Sequence, residues 1–210
     1  MKSATRVTAS ALGVYAGLLG IEHGSFEIFQ GNTRPASLMI YAIGPPCQPD
    51  AIWHACFPAL TVIPNFLITG IAAILVGLSM LIWGGRFVHR KNGGLVLLLL
   101  SVLLLPVGGG FIPVFIGGIA GITGTRIDSP PKWRRAFFLA NLWPWALILL
   151  VLWFPGSWIM GHFFGQVMSD LGTSLFLFFD IGLPVFILIS GFLYDIQFRS
   201  DSQHDAIQFP

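Results

Sequence analysis

Four ionisable residues stand where a strongly apolar chain can least easily carry them. Glu22, His23 and Glu27 lie at the end of one apolar run, and Asp180 lies inside another. A carboxylate or imidazole within hydrocarbon is costly, so such groups face protein or water and mark a functional place. His23 and Glu27 are four apart, so a helix puts them on one face, where they can hydrogen-bond or share one metal ion. Glu22 points about 100° away from His23, toward a different neighbour. Thr61 and Asn65, beside Pro64, are further polar candidates for the same region. His54, His162 and Asp170 read more simply as solvated residues at headgroup level. A metal site is the weaker option: the chain has no H-E-x-x-H or C-x-x-C signature, which leaves His23 and Glu27 as the ligands. Bis-histidine haem ligation would need a second histidine well inside a span, so no particular cofactor is implied.

Cys47 and Cys56 are too few for a disulfide-dense scaffold. They are nine apart with Pro49 between them. On the non-cytoplasmic side they are expected to form a structural disulfide. A metal site using His54 is the sharper alternative, and C-x8-C lacks the close spacing of thiol-exchange motifs.

The elements that carry these residues follow from hydropathy. Of 210 residues, 55% are hydrophobic and 10% charged. Soluble domains carry roughly 25% charged residues, so lipid must cover most of this surface. A bilayer core of ~30 Å needs about 20 apolar helical residues. Residues 7–28, 59–83, 136–158 and 173–194 meet that length, and the first reads as a retained span because no A-x-A cleavage site follows it. Residues 93–125 are too long for one span and are broken by Pro106-Val107-Gly108-Gly109-Gly110-Phe111-Ile112-Pro113, a turn signal. Two arms result, 93–107 and 112–125.

Charge placement supports the hairpin. With it, Lys2, Arg6, Arg86, Arg90, Lys91, Arg126, Lys132, Arg134, Arg135 and Arg199 all fall on one side, ten of the 11 basic residues, with Arg34 opposite. A single crossing of 93–125 would move Arg126, Lys132, Arg134 and Arg135 and leave a split of six against five. Cytoplasmic loops collect Lys and Arg. The expectation is an all-α, polytopic membrane helix bundle, with six transmembrane segments or four plus a re-entrant helical hairpin at 93–125. Both termini are then cytoplasmic and the plasma membrane is the expected location. Residues 1–196 form one transmembrane domain, followed by a polar, disordered tail at 197–210.

Helical rise puts Glu22 ~22 Å from the cytoplasmic boundary near Val7, and Asp180 ~21 Å from the one at Tyr194. The two acids therefore share a depth in the outer half of the bundle. Pro184 cannot donate to the Asp180 carbonyl, which predicts a kink beside that acid. The apolar segment 36–43 is too short to span and is expected at the outer interface, or as a lid. Pro130-Pro131-Lys132-Trp133-Arg134-Arg135 reads as a headgroup anchor. Gly84-Gly85, Gly93-Gly94, Gly117-Gly118 and Gly117-x-x-x-Gly121 suit close helix packing.

Two function classes remain, beside a purely structural subunit whose buried acids would partner polar groups on another chain. One is a non-enzymatic membrane protein, a small transporter or channel or an accessory subunit of a membrane complex, with Glu22, His23, Glu27, Asn65 and Asp180 as its polar site. The other is an intramembrane enzyme acting on a lipid or other apolar substrate. Membrane lipids, further copies of the chain or other membrane subunits are the expected partners, and nucleic acid is not.

Overall fold

The computed structural model describes residues 3–41, 57–127, 137–164 and 174–208. Four helical stretches are long and apolar enough to cross a membrane: Ala4–Phe29, Phe66–Arg86, Phe138–Phe163 and Ser174–Gln197. Two shorter apolar helices accompany them, and the chain is a membrane helix bundle by length and composition. We label the helices α1 (Ala4–Phe29), α2 (Phe66–Arg86), α3 (Gly93–Leu104), α4 (Phe111–Thr125), α5 (Phe137–Phe163) and α6 (Leu183–Gln208). A π-helical turn, Leu177–Gly182, leads directly into α6. The expected Cys47–Cys56 bridge, His54, Asp170 and the basic run at 130–135 lie outside the described residues.

The central element is α1, which packs on α2 most extensively and also on α4 and α6. Its partner surface is made of glycine. Gly13 meets Gly84, Gly17 meets Gly77 and Gly24 meets Gly70. A Cβ on Gly17 would lie 2.6 Å from the Gly77 carbonyl oxygen, and one on Gly24 would lie 2.7 Å from that of Gly70. The two backbones are therefore in contact, the arrangement small residues permit between membrane helices. Gly94 of α3 faces Gly121 and Gly124 of α4 in the same manner. Gly118 has nothing within 4 Å, so that member of its pair is not a packing residue.

Several boundaries depart from the sequence reading. The second helix begins at Phe66, not near residue 59, because Pro64 ends the extended chain and Asn65 caps the helix, accepting from the Ile68 amide at 3.1 Å. The residues before it form a strand, so the fold is not purely helical. β1 (Met39–Tyr41) pairs antiparallel with β2 (Pro58–Leu60), with Ile40 opposite Ala59. The apolar segment expected at the interface or as a lid supplies β1. The fifth helix runs to Phe163 through Pro144 and Pro155, a continuation that apolar surroundings tolerate. The polar segment from Gln197 does not break the last helix, which reaches Gln208 because no Gly or Pro occurs after Gly191 until the chain has passed that point.

The α3–α4 hairpin turns where Pro and Gly predict it. Gly108 and Gly110 have φ of +84° and +82°, a region open to glycine at little cost. The tip joins the small sheet: the Val62 amide donates to the Pro106 carbonyl and the Gly108 amide to the Leu60 carbonyl, both at 2.9 Å. Beneath it, the Thr69 hydroxyl donates to the Val107 carbonyl at 2.9 Å and sits 2.6 Å from the Thr61 hydroxyl. Sheet and hairpin tip thus form one cap over the C-terminal end of α1.

The other end of α1 is held by side chains. Asp195 of α6 accepts from the Ala4 amide (2.7 Å), the Thr5 amide (2.9 Å) and the Thr5 hydroxyl (2.6 Å). The Trp143 indole of α5 donates to the Thr8 hydroxyl at 2.8 Å. A carboxylate at a helix N-terminus satisfies amides that have no partner within the helix.

Candidate functional site

Under the cap, α1 presents Glu22, His23, Phe26 and Glu27 over its last two turns. Facing them are the π-helical turn with Asp180 and the hairpin tip at Gly110. Glu22, His23 and Asp180 line one cavity of about 30 Å³, together with apolar side chains including Leu19, Phe26 and Phe57. That volume holds about one water molecule. Although about 100° separates them around the helix, Glu22 and His23 both line this space.

The π-helical turn explains how Asp180 reaches the same space. Pro184 has no amide hydrogen to offer the Asp180 carbonyl, and the chain widens here into the i→i+5 pattern. Asp180 is buried, and the Tyr15 hydroxyl approaches its Oδ1 at 3.5 Å. The stacked pair Trp153–Phe179, with ring centroids 3.8 Å apart, holds the turn against α5.

Glu27 is not on the cavity wall. It lies behind His23, whose Nε2 is 3.7 Å from Glu27 Oε1, longer than a hydrogen bond. The residue is 0% exposed, and neither carboxylate oxygen accepts a hydrogen bond among the described residues. Its carboxylate rests on the α-carbon of Gly108, where any side chain would overlap it. A Cβ at Gly110 would likewise lie 3.2 Å from His23 Nδ1. The glycine tip is shaped around the histidine–glutamate pair.

The remaining candidates fall elsewhere. Asn65 caps α2 and donates to Asn32 Oδ1, away from the cavity. Thr61 belongs to the staple beneath the hairpin tip. His162 is exposed in the last turn of α5. Among the described residues, no group of three or more His, Cys, Asp or Glu gathers closely enough to hold a metal ion. Two residues that sequence reasoning missed join the picture. Tyr15 is seven residues before Glu22 and so on its face, a spacing visible in the sequence. Asp195 falls one residue beyond the expected end of the last span and was hidden by that boundary.

No family model, curated protein or solved structure matches the chain.

Proposed function

We propose that this chain is a non-enzymatic, multi-pass membrane protein of transporter or channel type, working through a proton-binding centre at Glu22, His23 and Asp180. The observation that carries the reading is their convergence, from two separate elements, on one small cavity. Organic ligands occupy pockets of roughly 300–1,000 Å³. A space of about 30 Å³ suits a water molecule and an exchangeable proton. A bound calcium or magnesium ion would call for about six oxygen ligands, a denser shell than these three side chains offer. The enzyme alternative, with an apolar substrate, would need a far larger chamber beside these residues.

Six crossings with both chain ends cytoplasmic, in a plasma membrane, complete the proposal. The hairpin tip supports full crossing over re-entry, since it reaches the cap at the C-terminal end of α1 and bonds to β2 there. The cavity then belongs to the outer half of the bundle. Self-association or association with other membrane subunits is part of the same proposal.

The test is proton movement in proteoliposomes holding an internal pH dye, driven by a potassium diffusion potential. Wild-type protein is expected to acidify or alkalinise the lumen faster than empty vesicles, and Asp180→Asn to return the rate to the empty-vesicle level. Wild-type flux equal to that of empty vesicles at either polarity would sink the reading.

A further inference from the structure

At the N-terminal end of α1, away from the acid cavity, a cleft of about 250 Å³ opens between the first turns of α1 and the end of α2. It is lined by Arg6, Ser10 and His89 together with the apolar Val7, Ala11 and Val88. The helices that line it carry no acid near it. No Asp or Glu precedes Glu22, and none occurs between Asp50 and Asp128, so α2, α3 and α4 carry no acid. Asp195, the buried acid at this end, is engaged by Ala4 and Thr5. His23 and Glu27 pair at the opposite end of α1. Arg6 and His89 therefore face the cleft without an acidic partner among the described residues, and Arg86, Arg90 and Lys91 add positive charge around them. Arg90 is set apart, stacked 4.8 Å over the Phe87 ring.

Gly85 keeps the cleft open. A Cβ there would meet only Val14, at an ordinary 3.6 Å, so helix packing does not demand glycine at this position. Basic and apolar side chains lining one cleft, at the ends of two membrane-length helices, match the boundary between lipid headgroup and acyl chain. Basic pockets between membrane helices hold anionic headgroups in this way.

We propose that this cleft is a binding site for the phosphate headgroup of an anionic phospholipid. Arg6 and His89 neutralise the phosphate, Ser10 donates a hydrogen bond to it, and Val7, Ala11 and Val88 lie against the glycerol end of the chains. The site stands independently of the proton-binding reading, because it shares no residue with the acid cavity.

Native mass spectrometry and thermal unfolding of the full chain in mild detergent test it, with phosphatidylglycerol, phosphatidylcholine of the same chain length and inorganic phosphate added separately. Phosphatidylglycerol should bind and raise the unfolding temperature, and phosphatidylcholine should not. Arg6→Gln should weaken that binding about fivefold, the weight of one basic charge near a headgroup. Gly85→Leu should block it by filling the cleft while every charge remains, and Arg90→Gln, outside the cleft, should leave it nearly intact. Equal loss in Arg6→Gln and Arg90→Gln, with Gly85→Leu unaffected, would overturn the site in favour of diffuse surface attraction. Protection by inorganic phosphate as strong as that by phosphatidylglycerol would support the anion site and overturn its assignment to lipid. The unfolding temperature of each variant without additive shows that it is folded, and Arg6→Lys, which keeps the charge, provides a second variant expected to retain most of the binding.

Discussion

The two ends of α1 each bury a carboxylate, and they treat it in opposite ways. Asp195, 6% exposed, accepts three hydrogen bonds from Ala4 and Thr5. Glu27, 0% exposed, accepts none among the described residues and sits 3.7 Å from an imidazole nitrogen. Burial alone therefore does not tell how an acid is held. The supply of donors does: Asp195 completes a helix terminus, whereas Glu27 is held against the backbone of Gly108 beside His23.

The sharpest way to break this comparison is Asp195→Ala. It strands two amides and a hydroxyl in a buried place and should cost about 4 kcal/mol of stability, since hydrogen bonds to charged groups are worth ~1.5–3 kcal/mol each and do not add fully. Unfolding in detergent measures it, and a cost under about 1 kcal/mol would remove the structural role. Next in size, Gly17→Ala forces a Cβ toward the Gly77 carbonyl and should cost about 2 kcal/mol, by overpacking a contact that serves both ends. Glu27→Met should carry the opposite sign. Replacing a buried carboxylate that lacks donors with an apolar side chain of similar length should raise stability by about 1.5 kcal/mol. A loss of that size instead would mean that Glu27 is structural, like Asp195. The smallest effect belongs to Thr8→Val, which deprives the Trp143 indole of its acceptor and should cost about 1 kcal/mol in the same measurement.

Much of the frame was legible because it rests on arithmetic local to each helix. Hydropathy located the four long helices, and Pro106 with Gly108–Gly110 located the hairpin turn. Counting helical rise put Glu22 and Asp180 at one depth, and they line one cavity. What stayed hidden depends on contacts between elements. Three-residue strands such as β1 and β2 have too few residues to show a period, and their pairing spans a long stretch of chain. The cavity that Glu22 and His23 both line is a property of the helices around α1, not of α1. Asn65 looked like a site residue because it is polar beside an apolar run, yet a helix N-cap produces the same pattern. Asp195 lay just past a boundary drawn by hydropathy, which cannot see that a neighbouring helix terminus needs an acceptor.

The glycines of α2 that touch α1 are Gly70, Gly77 and Gly84, seven residues apart. Inserting or deleting one residue between them would turn the rest of the helix by about 100°. An insertion between Gly70 and Gly77 would then bring Val76 and Trp83 to where backbone must meet backbone. The number of residues between these glycines is thus fixed, in angle and in height against α1, while the loops around the helix have no such rule. A reading frame of packing runs through the helix, fixing how many residues it has as firmly as which ones they are.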